Sequence, residues 1–123
     1  MITGFDETKE LTDDEMGLVP IIVKRFNDKK GKVHIVTNEQ IRKGLKANLD
    51  IDITEPRVRK IIQYIRVKNL LIGLIATSKG YFLATDSAEV EAWLSTMEQR
   101  KRAIEESIRS GEEDLKLMKS KGL

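Results

Sequence analysis

The stretch TEPRVRKIIQYIRVKNLLIGLIATSKGYFLAT, residues 54–85, changes its hydrophobic period partway along. Val58, Ile61, Ile62 and Ile65 recur at three- and four-residue spacing, the mark of one buried helix face. Arg57, Arg59, Lys60, Gln63 and Arg66 fall between them and make the opposite, outward side. Thr54 is the N-cap, and Pro56 falls in the first turn, where proline is tolerated. Beyond Lys68 the period becomes two. LLIGLIAT and GYFLAT read as strands joined through SKG, where Gly80 can take a positive φ. The stretch therefore predicts a helix that is apolar on one side and cationic on the other, followed at once by a β-hairpin.

Upstream, LTDDEMGLVPIIVKRFND predicts a first helix. Thr12 is its N-cap, Glu15 completes a capping box, and Asp13, Asp14 and Glu15 suit the positive end of the helix dipole. Leu18, Ile22 and Phe26 form its apolar stripe; Pro20 either kinks it or marks a later start. VHIV, residues 33–36, reads as a short extended edge strand after the punctuation of Gly31. TNEQIRKGLKANL predicts a second helix, with Thr37 and Gln40 as a second capping box and Ile41, Leu45 and Leu49 as the buried stripe. Gly44 weakens that helix or admits a close neighbour.

Downstream of the hairpin, residues 87–123 predict a long helix. Val90, Leu94, Met97, Ile104, Ile108, Leu115 and Met118 follow a 3–4–3–4 rhythm completed by Lys101 and Gly111, a heptad seam with one charge and one gap. The seam covers four heptads and extends about 42 Å, more than a small domain can cover. A second copy of the chain is the expected cover, with Leu94, Met97, Ile104, Ile108 and Leu115 as dimerisation residues. The expected organisation is an acidic tail at 1–11, a folded domain at 12–86 and a dimerisation helix at 87–123.

Charge is partitioned along the 123 residues. The net charge is +2, yet residues 1–19 carry six acids against one Lys and residues 20–80 carry fourteen Lys/Arg against five acids. That asymmetry is the footprint of a surface that meets a polyanion. Other function classes lack their parts. There is no cysteine, and His34 is the only histidine, so no metal set is legible. Neither a Walker loop nor a GxGxxG is present, and nothing singles out a catalytic carboxylate pair. The expectation is a protein that is not an enzyme, takes no cofactor and no small-molecule substrate, and is soluble and cytoplasmic, since no apolar run nears the ~18 residues of a membrane span.

Helix, short strand, helix, helix, hairpin is the element order of a winged helix-turn-helix. TNEQIRKGL followed by TEPRVRKIIQYIRVKNLLIGLIATSKGYFLATD resembles the small winged-helix proteins of bacterial phages and prophages, over roughly residues 12–100. The resemblance implies an α+β, mainly α fold whose hairpin is the wing. Taken with the charge partition and the heptad seam, the expectation is a phage- or prophage-type transcriptional regulator that binds double-stranded DNA as a homodimer in a bacterial host cell. In such a fold the second helix of the pair enters the major groove. Arg57, Lys60 and Gln63 are the candidate base-reading residues, assisted by Arg59 and Arg66, because Arg pairs bidentately with guanine or phosphate and Gln suits adenine. Lys79 at the hairpin tip is a candidate for touching phosphate, as is the helix start at Thr37 and Asn38 with its open N–H groups. The competing expectation is a winged-helix protein–protein adaptor in a phage replication or packaging assembly.

Overall fold

Thr12 opens the first helix as its spacing requires. Its hydroxyl accepts from the Glu15 N–H at 3.2 Å, and the Glu15 carboxylate accepts from the Thr12 N–H at 2.8 Å. The computed structural model describes residues 9–123; most of the acidic tail expected at 1–11 lies outside the described residues. Helix α1 spans Asp13–Arg25, runs unbroken through Pro20 and ends at Phe26. Met16, four residues before Pro20, and Pro20 itself are both exposed, so water can reach the carbonyl that the proline leaves without a helical donor.

Helix α2, Asn38–Leu49, starts on the second capping box, with Thr37 Oγ1 accepting from Gln40 N–H at 3.0 Å and Gln40 Oε1 from Thr37 N–H at 2.9 Å. It stops at Asp50, which takes a left-handed φ of 53°. Ile41 and Leu45 are buried, but Leu49, expected in the same stripe, is 45% exposed because the helix ends there. What lies over Gly44 is the guanidinium of Arg25, the last residue of α1, which also donates to the Gln40 carbonyl at 3.4 Å, so the neighbouring helix reaches Gly44 through a side chain. Two α2 cations clamp the link to the next helix. Arg42 Nε donates to the Ile53 carbonyl at 2.8 Å, and Lys46 Nζ meets Asp50 at 2.9 Å and Asp52 at 3.2 Å.

Helix α3, Glu55–Val67, is capped by Thr54 and buries Val58, Ile61, Ile62 and Ile65. Strands β1, Leu74–Thr77, and β2, Gly80–Leu83, form an antiparallel hairpin in the register Leu74↔Leu83, Ile75↔Phe82, Ala76↔Tyr81, Thr77↔Gly80. Ser78 and Lys79 are its two-residue loop, pinned by the Lys79 N–H donating to Thr77 Oγ1 at 3.1 Å. Gly80 has φ +140°, and a Cβ there would sit 2.5 Å from the Val36 carbonyl oxygen. Only glycine lets the chain pass so close.

The expected edge strand at 33–36 is not formed. Gly31, at φ +85°, curls the chain into a 3-10 turn over Lys32–His34, with His34 N–H donating to the Gly31 carbonyl at 3.1 Å. Val33 is 89% exposed, so a strand through it would bury nothing on that side. What survives is one antiparallel bridge, in which Val36 and Tyr81 exchange two 2.8 Å hydrogen bonds, and a second bridge from Lys30 to Leu83. The hairpin's second strand is thus flanked by β1 on one side and these bridges on the other.

Leu18, Val19, Ile22 and Phe26 of α1 meet the buried faces of α2 and α3 and the inward residues Val36, Leu74, Tyr81 and Leu83 in one core. Phe26 packs edge-on against Tyr81, their ring centroids 6.5 Å apart. The architecture is α+β, mainly α, with one two-stranded sheet. The chain divides into two compact units, one ending at Ser87 and the other Ala88–Leu123. Nearly all of the second unit belongs to helix α4, Ser87–Ser120, 34 residues and about 51 Å long, with no buried residue. Among the described residues no helix is long and apolar enough to cross a membrane.

Candidate nucleic-acid interface

With Val58, Ile61, Ile62 and Ile65 turned inward, a step of about 100° per residue sets the directions of the other α3 side chains. Pro56, Lys60, Gln63 and Val67 lie opposite the core. Glu55, Arg59 and Arg66 lie on one flank, and Arg57, Tyr64 and Lys68 on the other. Arg57 and Arg59 are separated by about 160° around the helix, so one surface cannot use both.

Arg57 does not stand on the outward face expected of it. Its Nε donates to Glu15 Oε2 and its Nη2 to Glu15 Oε1, both at 2.7 Å, while Nη1 and Nη2 also donate to the carbonyls of Lys9 and Glu10 at 2.9 and 3.0 Å. The two side chains are 12% and 14% exposed. The Arg57 hydrogen bonds hold the Glu15 carboxyl down at about 2, against the opposing effect of burial, with help from the Thr12 N–H. A fork engaged on four acceptors fastens α3 to α1 and has little left for a ligand. The expected role of Arg57 in base reading is therefore replaced by a structural one.

Arg66 is likewise engaged. Its Nη1 donates to the Leu74 carbonyl at 2.7 Å, and burial lowers its pKa from the usual arginine range. It ties the end of α3 to the first hairpin strand. Arg59 lies on the same flank, 3.9 Å from Glu55, and the fields of Arg59, Arg66 and Glu55 all reach the Tyr81 hydroxyl. That hydroxyl, whose pKa is raised above its usual value chiefly by burial, donates to Asn38 Oδ1 at 2.8 Å. Asn38 thereby joins the start of α2 to the hairpin, and Thr37 has its hydroxyl committed to the cap.

Those bonds set the start of α2 beside the hairpin. The close approach of Gly80 to Val36 and Thr37 sets the hairpin tip, and so the exposed Lys79, beside the N-terminus of α2. Tyr81, bonded to that N-terminus through Asn38, lies within the fields of Arg59 and Arg66 on one flank of α3. Lys60, half-buried, and Gln63, exposed, stand on the adjoining outward face. Thr37, Asn38 and the hairpin tip at Lys79 thus lie together, Arg59 is on the flank of α3 whose field reaches Tyr81, Lys60 and Gln63 are on the adjoining face, and Arg57 lies on the far flank.

Sequence reasoning passed over two contributions. The Tyr81 hydroxyl joins the hairpin to the start of α2 through Asn38, and only its place in a strand was visible. Lys30 and Lys32 are exposed at the turn beside Leu83, about 10 Å along β2 from the hairpin tip; the run DKKGK was their signal. Comparison of the chain with family models, with curated proteins and with solved structures found no match.

Proposed function

We propose that residues 12–86 are a winged helix-turn-helix that binds double-stranded DNA, and that the chain acts as a dimeric phage- or prophage-type transcriptional regulator in the bacterial cytoplasm. In this reading α3 enters the major groove with Lys60 and Gln63 toward the base edges and Arg59 toward the backbone. The hairpin is the wing, its Lys79 reaches a neighbouring phosphate, and the N-terminus of α2 accepts another. Arg57 and Arg66 hold the scaffold. The single observation that carries the reading is the approach of the Lys79 tip to the start of α2, where Gly80 meets Val36 and Thr37, with Lys60 and Gln63 left on the face of α3 opposite its core side.

The test is titration of a fluorescent random-sequence duplex with the chain over a salt series. Parent protein should bind at low salt and lose affinity steeply as salt rises. Lys79→Ala should weaken binding at every sequence and flatten the log–log salt slope by about 1, for the phosphate that it no longer neutralises, and adding Lys60→Ala should weaken binding further by removing a base contact. Equal binding by parent and double variant would reject the face.

A second reading has an observation of its own. Val67, Leu70 and Ile72, at the end of α3 and the approach to β1, are 62%, 44% and 93% exposed. An apolar patch there suits a protein partner, as an adaptor in a phage replication or packaging assembly would need. Absence of any duplex binding at low salt, together with loss of a partner on Ile72→Lys, would favour the adaptor.

A further inference from the structure

Helix α4 carries its apolar seam in the open. Leu94, Met97, Ile104, Ile108, Leu115 and Met118 are each at least 40% exposed. In heptad terms Leu94, Lys101, Ile108 and Leu115 take the a positions, and Val90, Met97, Ile104, Gly111 and Met118 the d positions. Two of these do not belong in an apolar seam: Lys101 brings a charge and Gly111 leaves a hole.

Their placement is symmetric. About residue 106, Lys101 mirrors Gly111, Ile104 mirrors Ile108, Met97 mirrors Leu115, and Leu94 mirrors Met118. Each mirror pair joins an a position to a d position, the layer composition of two helices running in opposite directions. We propose that α4 pairs with α4 of a second copy of this chain in an antiparallel coiled coil centred on residue 106. The pairing rests on the α4 dimer named above and is independent of DNA binding.

The two odd residues decide the direction. Antiparallel, the Lys101 stem lies across Gly111 of the second copy and fills its hole, and its ammonium emerges beside Glu112 of that copy. Long Lys stems cover apolar surface in this way while their heads stay in water. Parallel, Lys101 would face Lys101 in one layer and Gly111 would face Gly111 in another. That arrangement sets like charges together and doubles a void, and both are unfavourable.

Flanking charges agree with the antiparallel register without deciding it. Arg100 falls opposite Asp114 of the second copy and Glu91 opposite Lys119, each pair twice by symmetry. Glu98 opposite Glu112, and Glu105 opposite its own mirror, oppose the register. Each of these acids has a base four residues on in its own chain (Arg102 after Glu98, Arg109 after Glu105, Lys116 after Glu112), the spacing at which helix charges pair. A parallel pair would also gain attractive flanks, Arg100 with Glu105 and Asp114 with Lys119. The Lys101 and Gly111 layers therefore carry the distinction.

The absence of cysteine makes the test direct, because single-cysteine variants of the full chain take one spin label each. Ala92→Cys, Glu106→Cys and Glu113→Cys are all on the helix side away from the seam. Antiparallel pairing about residue 106 offsets the two labels along the axis by about 42 Å at position 92, 0 Å at 106 and 21 Å at 113. Pulsed dipolar spectroscopy should give its shortest distance at 106 and longer ones on both sides. Three equal distances would mean a parallel pair, overturning this register while leaving the dimer standing. A single-chain mass in sedimentation equilibrium, with no dipolar signal, would overturn the register and the dimer together. Duplex binding by these variants is scored separately and bears on neither.

Discussion

Glu15→Gln isolates the ion pair that took Arg57 away from the surface. Gln keeps the capping geometry, as Gln40 shows in the second box, where it accepts from Thr37 N–H at 2.9 Å. What it removes is the charge, and it turns an N–H donor toward the Arg57 fork. The folded carboxyl titrates at about 2 instead of the ordinary 4.5, a difference worth at most about 3 kcal/mol. Both side chains keep some exposure, and water screening reduces the figure to about 1–2 kcal/mol. With a urea dependence of about 1–3 kcal/mol per molar, the unfolding midpoint at pH 7 should fall by roughly 1 M. The sign with pH follows from the lowered value. A carboxyl depressed on folding stabilises fully above about pH 4.5, and that stabilisation drains away as pH falls toward 2. Urea unfolding of parent and variant from pH 7 downward should therefore show a gap that is constant above about pH 5.5 and closes between 4.5 and 2. A variant as stable as the parent at pH 7, or a gap that persists unchanged down to pH 2, would refute the assignment of Arg57 to the scaffold.

Four other substitutions probe separate features. Phe26→Ala removes a ring with no exposure and should cost about 3–5 kcal/mol, read by chemical denaturation. Gly80→Ala places a methyl against the Val36 carbonyl at a φ that side chains avoid; it should cost about 1–3 kcal/mol and speed amide exchange at Val36 and Tyr81 before the helices are affected. Gly44→Ala meets only the tip of Arg25, which can swing aside at the loss of one long hydrogen bond, so melting should rise with a gain of about 0.5–1 kcal/mol. Tyr81→Phe deletes the bond to Asn38 and should cost about 1 kcal/mol. In the parent, burial raises the Tyr81 hydroxyl above 10, so that part of the stability is present below pH 10 and is lost as pH climbs through the raised value; an ultraviolet titration should show a late phenolate step that the variant lacks.

The parts of this fold that were legible in advance are the local ones. Both capping boxes join residues three apart, and the inward face of α3 depends only on the helical repeat, so Thr12, Thr37, Val58 and Ile65 announce their own roles. The hairpin follows from a change of period around a Ser-Lys-Gly turn. The fate of each cation is a different kind of fact. Arg57 and Glu15 are 42 residues apart, and Arg66 finds its carbonyl on a strand that forms only once the chain has doubled back. A count of Lys and Arg on one helix cannot separate those consumed inside the fold from those left outside. The helical repeat alone does separate Arg57 from Arg59, by about 160° around α3. VHIV misled for a related reason: three apolar residues in a run of four suit a strand, but the Gly31 turn leaves Val33 facing solvent.

A short loop sewn to its neighbours has a mechanical meaning. The Ser78–Lys79 corner is held by Thr77 below it and by the Val36 backbone beside it, so it can neither lengthen nor sway without breaking both attachments. Its ordering entropy is lost when the chain folds, not when a visitor arrives. Whatever meets Lys79 meets a side chain rooted in a backbone already set, and must bring a surface of matching contour instead of relying on the loop to adapt.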